Sequence, residues 1–277
     1  MHLILPLLQD SISYQTALAI QADWYEDEGH TLAADALRSQ GRIAAGGYHS
    51  LALTPAGKVV AWGGNDYQQC AVPAKLRAIA IAAGWKHSLA LTTKGQVVAW
   101  GDNNYNQCDV PANLRAVDVA AGDCHSLALT SEGRVMSWGD NGHNQCQVPT
   151  DLQAVAIAAG GCHSLALTPQ GEVVAWGGNG YQQCDIPPGL HAVAIAAGGC
   201  HSLALTPERR VVAWGDDRLQ QCDVPPGLHA VAIAAGWRHS LAITPEGEVV
   251  SWGRDTKKRR IGSEPKLPAH HLDGQRR

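Results

Sequence analysis

Ala192-Val193-Ala194-Ile195-Ala196-Ala197-Gly198-Gly199-Cys200-His201-Ser202-Leu203-Ala204-Leu205-Thr206, followed by Val211-Val212-Ala213-Trp214-Gly215, is one instance of a pattern that fills most of the chain. His49, His87, His125, His163, His201 and His239 stand 38 residues apart without a slip. Trp62, Trp100, Trp138, Trp176, Trp214 and Trp252 keep the same spacing, as do Gly46, Gly84, Gly122, Gly160, Gly198 and Gly236. Three registers of one period identify a repeat architecture. Within a copy, Ala192–Ala196 reads as a small-residue strand ended by a Gly-Gly turn. His201–Thr206 alternates as a second strand, Pro207-Glu208 is a turn, and Val211–Gly215 pairs back. Strands this short cannot bury both faces of a three-stranded meander. The copies must therefore pack face to face, with Ala and Gly allowing close approach and Trp filling the gaps.

The composition agrees with one short pattern written six times: 30 Gly, 14 Pro and 9 Trp occur among 277 residues, with no Phe and 2 Met. Residues 1–253 hold 13 basic and 22 acidic side chains, which argues against a phosphate-binding body and so against a nucleic-acid partner. Residues 254–277 reverse the balance, with 8 basic and 3 acidic. The apolar opening Met1–Leu8 lacks a basic leader and is too short for a signal peptide, and no run reaches the length of a membrane span. These features predict a soluble, cytoplasmic protein whose eight cysteines meet a reducing compartment that disfavours a disulfide framework.

Ala-Gly-x-x-His-Ser-Leu-Ala-Leu and Val-Val-Ala-Trp-Gly-x-Asn resemble the repeats of the regulator of chromosome condensation family, over about residues 42–253. The following Gln107-Cys108-Asp109-Val110-Pro111 is closer to the short bacterial form, which includes a propeller that inhibits β-lactamase. The resemblance implies an all-β propeller of six or seven short blades with three or four strands each. The family ring usually has seven blades. With six copies here, the ring closes with six, improvises a seventh from flanking segments, or is completed by another chain in a dimer. After Trp252-Gly253 the sixth copy decays, since Thr256-Lys257-Lys258-Arg259-Arg260 replaces the usual Gln-Cys-x-Val-Pro.

Three regions follow: a helical hairpin over 1–41, a propeller over 42–255 and a basic tail over 256–277. Helical spacing in Ser11–Glu28 and Thr31–Gln40, with Gly29 and Gly41 as stops, predicts the hairpin. Ala22-Asp23-Trp24-Tyr25-Glu26-Asp27-Glu28-Gly29 with Ala36-Leu37-Arg38 resembles a companion segment beside repeat proteins of planctomycete-type bacteria. Residues 1–41 hold six acids and one base. In a ring whose ends meet, this acidic segment and the basic tail are expected to lie near each other.

Six histidines in one context argue for a structural role, because a catalytic site is singular. Their ring nitrogens are expected to satisfy backbone groups. Cys70, Cys108, Cys146, Cys184 and Cys222 keep the repeat register and are expected to fill the blade interface as small apolar groups. Cys124, Cys162 and Cys200 form a second set, each directly preceding a repeat histidine in three consecutive copies. Cys with His is a zinc-compatible set, so a metal-assisted enzyme is the alternative function, although adjacent strand residues point to opposite faces and no C-x-x-C supports a site. No catalytic residue, metal site or cofactor is assigned.

In a repeat protein, the positions that differ between copies are free to form a specific surface. One such set precedes each His: Gly47-Tyr48, Trp85-Lys86, Asp123-Cys124, Gly161-Cys162, Gly199-Cys200 and Trp237-Arg238. A second follows each Trp-Gly, as in Asn65-Asp66-Tyr67, Asn103-Asn104-Tyr105, Asn141-Gly142-His143, Asn179-Gly180-Tyr181 and Asp217-Arg218-Leu219. Tyr48, Trp85, Lys86, Trp237 and Arg238 would gather on one rim if the ring brings the sixth copy beside the first. Aromatics with cationic side chains suit a protein interface, so the expected function is a non-catalytic scaffold binding a protein on that rim. The resemblance implies the same rim, which the β-lactamase-inhibiting propeller also uses.

Overall fold

The computed structural model describes residues 43–254. Within it, each copy forms a separate antiparallel sheet of three strands in sequence order. The strands run β1 (Ile43–Ala45), β2 (His49–Leu53), β3 (Val59–Gly63), β4 (Ala80–Ala83), β5 (His87–Leu91), β6 (Val97–Gly101), β7 (Asp118–Ala121), β8 (His125–Leu129) and β9 (Val135–Gly139). They continue as β10 (Ala156–Ala159), β11 (His163–Leu167), β12 (Val173–Gly177), β13 (Ala194–Ala197), β14 (His201–Leu205), β15 (Val211–Gly215), β16 (Ala232–Ala235), β17 (His239–Ile243) and β18 (Val249–Gly253). The six sheets are the blades of an all-β propeller. No helix among the described residues is long and apolar enough to cross a membrane. The expected helical hairpin with its companion-like segment, and the basic tail, lie outside the described residues.

The first strand of the fifth copy starts at Ala194, two residues later than its composition suggested. Ala192 is engaged elsewhere: its N–H donates to the Gly171 carbonyl in the hairpin of the preceding blade, 2.8 Å.

The middle strand explains how blades pack. His163, Leu165 and Leu167 occupy one face of β11, while Ser164 and Ala166 occupy the other, and all five are buried. The Leu face, with Val173, packs against Ala204 and Trp214 of the next blade. Leu127 and Leu129 meet Ala166 and Trp176 in the same manner. Large side chains on one blade thus enter the space left by Ala and Ser on its neighbour, and the indole closes the layer. Five such cores join blade one to blade six in a row.

A set of hydrogen bonds repeats at these seams, complete at four of the five and lacking the indole bond at the last, where Trp252 Nε1 has no partner. Ser202 Oγ donates to the Gln183 carbonyl at 2.9 Å, and Trp214 Nε1 donates to the same oxygen at 2.9 Å. His163 Nε2 of the preceding blade lies 3.0 Å from Ser202 Oγ. A hydroxyl has one hydrogen, so Ser202 must accept from the imidazole. The proton therefore sits on Nε2 and leaves Nδ1 bare. The structure thus corrects the expected backbone partner: the histidine bonds a serine of the next blade. Nδ1 has no hydrogen-bond partner in five copies. It faces the Cα of the repeat glycine, where a Cβ on Gly198 would collide with the ring and with the Gly236 carbonyl. The Cα–H there is a weak donor to the bare nitrogen.

The register cysteines also differ from expectation. Cys108 donates its S–H to the Asp102 carbonyl at 3.3 Å, and Cys184 to the Gly178 carbonyl at 3.4 Å. They close the loop after Trp-Gly and are half-buried, so they brace loops instead of filling seams.

The seam between blades six and one has no such set among the described residues. Trp62 is 51% exposed, whereas Trp176 is 7% exposed, and Ile43, Val60 and Val249 are exposed as well. His239 and Leu241 are only half-buried, unlike His163 and Leu165. The described blades form an arc with a leucine face at one end and a tryptophan face at the other.

This asymmetry predicts unequal costs for one substitution. Trp176→Ala should destabilise the chain by about 3–5 kcal/mol through cavity formation and a lost seam bond, and Trp62→Ala by about 1 kcal/mol or less. Urea unfolding of the two variants compares them directly, and equal losses would contradict the open seam.

Candidate functional site

The rim is built by hairpin geometry. His49 pairs with Gly63 and His163 with Gly177, so the start of each middle strand lies beside the end of the third. Both sets of variable residues, before each His and after each Trp-Gly, therefore emerge at one end of every blade. At the second position the backbone needs glycine: Gly177 has φ 105°, and a Cβ there would press on the Cys162 carbonyl.

Neighbouring turns hold one another through the main chain. Gly47 N donates to the Gly84 carbonyl at 3.1 Å, Trp85 N to the Asp123 carbonyl at 3.3 Å, and Gly161 N to the Gly199 carbonyl at 3.1 Å. The close approach requires small residues at several turns. The Trp85 indole lies over Gly47 and the Trp237 indole over Gly199, each filling the place of a side chain.

Of the five residues singled out on this rim, three touch. Trp85 and Trp237 meet with ring centroids 4.5 Å apart at 49°, although they come from the second and sixth blades. Tyr48 presents an edge to Trp85 at 5.3 Å and 79°. Lys86 turns to the first blade, its Nζ 2.9 Å from the Tyr67 hydroxyl and 4.0 Å from the centre of that ring. That hydrogen bond is the main cause holding the Lys86 ammonium above its ordinary pKa. Arg238 is exposed beside Trp237.

Residues that sequence reasoning left out of the site share the rim. Tyr67, Tyr105 and Tyr181 are exposed, and Arg218 lies 4.3 Å from the Tyr181 ring while pairing with Asp216 at 2.8 Å. The signal that could have found them is the antiparallel pairing itself, which puts both variable sets at one end.

The other half of the rim is acidic and thiol-bearing. Burial pushes the Asp123 carboxyl up to about 7, with the Cys162 thiolate adding to it. Burial, with Asp123, Asp140 and Asp102 nearby, pushes Cys124 up to about 11. The Cys–His pairs do not converge as a metal site would. His125, His163 and His201 are fully buried in seams with Nε2 engaged by serine, while the cysteines beside them are half-buried in the rim turns. Among the described residues no group of three His, Cys, Asp or Glu side chains could hold a metal ion.

The seam histidines make stability depend on pH. Burial lowers His87 and His163 to about 3 and His125 and His201 to about 4, against an unfolded value of about 6.5. As pH falls below about 6.5 the unfolded chain binds protons that these buried rings refuse, so stability is lost. Asp118 and Asp123, both raised to about 7 chiefly by burial, act oppositely between about 7 and 4, because there the folded chain holds their protons. Four histidines outweigh two aspartates. Stability should fall between pH 6.5 and 4 by at most about 3 kcal/mol per pH unit. Urea midpoints at successive pH values measure it, and a flat or rising stability towards pH 4 would show that the rings are not the controlling groups.

The family model of the regulator of chromosome condensation (RCC1) repeat matches residues 42–69, 78–107, 116–145, 154–183, 192–221 and 230–258. No curated protein matches the chain by sequence. Among solved structures, yeast RCC1 (Prp20), bound to Kap60, is similar at 24% identity and a TM-score of 0.66, over 78% of this chain and 71% of that one. The CRINKLY WD40 ectodomain of the Arabidopsis thaliana receptor kinase ACR4 is similar at 25% identity and a TM-score of 0.67, over 76% and 84%. Six family repeats, each folded as one three-stranded blade, place this chain in the RCC1 repeat family.

Proposed function

We propose that this propeller is a non-catalytic scaffold that binds a protein partner on the rim formed by Tyr48, Trp85, Lys86, Trp237 and Arg238. The observation that carries the reading is the contiguous row Tyr48–Trp85–Trp237, assembled from blades far apart in sequence. Tyr48 is 57% exposed and Trp237 is 41% exposed, so the row offers apolar ring surface to solvent. Lys86 and Arg238 flank it, the side-chain mixture that energetic centres of protein interfaces favour. One solved structure describes Prp20p of Saccharomyces cerevisiae with its binding properties to Gsp1p and histones, and another presents Prp20 bound to Kap60. Those are properties of that protein, and the nucleotide-exchange activity of the eukaryotic family is not carried over, because the likeness lies in scaffold positions.

The scaffold would act as the 42–255 body of a cytoplasmic, bacterial protein, as a monomer or as a dimer that completes the ring, without nucleic acid, membrane or cofactor. In the test, a partner is isolated on the full chain and its affinity remeasured with the Trp85→Ala and Trp237→Ala double variant. Both side chains lie over glycines on the rim and outside the seam cores, so folding should persist by circular dichroism. Affinity should drop by at least about tenfold, as for central aromatic anchors. Undiminished binding by the folded variant would remove the rim from the function.

A further inference from the structure

Three cysteines interrupt the repeat at the rim, and the aromatic row accounts for none of them. The backbone treats them unequally. Gly161 N bonds the carbonyls of both Gly198 and Gly199 at 3.1 Å each, so the turns that continue into Cys162 and Cys200 are in direct contact across the seam of blades four and five. The Cys162 and Cys200 thiols influence each other's ionisation across this seam, the one lowered and the other raised. Gln183 Nε2 approaches the Cys162 sulfur at 3.7 Å. A side-chain donor thus meets Cys162, and the turn in contact with its own carries Cys200 of the neighbouring blade. Both cysteines are half-buried at the rim, within reach of a small solute.

We propose that Cys162 and Cys200 form a thiol pair that a peroxide oxidises to a disulfide across this seam. The Cys162 thiolate attacks one oxygen of hydrogen peroxide, the O–O bond breaks, and the departing hydroxide takes a proton to become water. Cys162 is then a sulfenic acid. The Cys200 sulfur, losing its proton, attacks the Cys162 sulfur, and the S–O bond breaks to release a second water. Two thiols and one peroxide become one disulfide and two waters; sulfur is oxidised and peroxide oxygen is reduced.

The remaining cysteines lack this arrangement. The five register thiols are committed as donors to the carbonyls of Gly64, Asp102, Asp140, Gly178 and Asp216. Cys124 faces negative charge from Asp123, Asp140 and Asp102, which opposes its thiolate. Cys162 differs in sign: its interaction with Cys200 first, with His143 and Gln183 assisting, lowers it against its burial. A thiolate favoured in this way, with a partner thiol on the adjoining turn, is the reactive form.

The test uses the full chain, reduced and then exposed to hydrogen peroxide at equal concentration. Intact mass and free-thiol titration follow the eight cysteines. The expected result is the loss of two hydrogens, six remaining thiols and a cross-linked peptide holding residues 162 and 200, all reversed by dithiothreitol. Cys162→Ser should lower the yield at least about tenfold, while Cys124→Ser leaves it unchanged. Eight thiols intact after exposure, oxygen retained on Cys162 without a cross-link, or a disulfide that includes Cys124 would each overturn the proposal. Native mass and circular dichroism of each variant before oxidation keep loss of reactivity separate from loss of fold.

Discussion

A single carbonyl oxygen between consecutive blades organises this molecule. The Gln183 carbonyl receives Ser202 Oγ and Trp214 Nε1 together, and the hydroxyl receives His163 Nε2 in turn. Both lone pairs of the oxygen are used, and so is every donor aimed at it. Net, each bond adds only about 1 kcal/mol, less than burying the indole, yet leaving one of these groups unpaired costs about 1–3 kcal/mol. The apolar layer supplies the attraction between blades, and the polar set admits one register. A blade displaced by one residue would turn its Leu side chains outward and strand a histidine, a serine and an indole at once.

That dependence explains which parts of the fold could be read from sequence. The period, the three strands and the packing of Leu against Ala and Trp follow from spacing and side-chain size. The bond from His163 to Ser202 spans 39 residues and two sheets, and no local pattern contains it. His201 stands next to Ser202 in sequence, which disguises the fact that the two face different seams, one forward and one back. The bare Nδ1 and the glycine beneath it were equally hidden, because the glycine is constrained by close approach and not by its dihedral angles.

The rim was legible in part for a related reason. Variation between copies exposed Tyr48, Trp85, Lys86, Trp237 and Arg238 as residues outside the scaffold grammar, and pairing of β2 with β3 adds Tyr67 to the same end. Sequence did not reveal that Lys86 engages Tyr67, or that the two indoles meet each other. Such contacts depend on the curvature that accumulates over blades, a quantity no single repeat encodes. The same applies to the thiols: three equivalent positions carry cysteine, but only one seam brings the adjoining turns into double backbone contact.

The described arc also has polarity, with the exposed Trp62 face at one end and the leucine face of β17 at the other. Among the described residues, each interior blade is clasped on two sides and each terminal blade on one. In a repeat array, local opening is governed by such nearest-neighbour terms. Exchange of amide hydrogens is thereby expected to be graded along the described blades, slowest at β5, β8, β11 and β14, where all five residues are buried, and fastest in the outer sheets. Among the described blades, breathing is thus expected to start at the two unlike ends and travel inward, leaving blades two to five as the body that opens last.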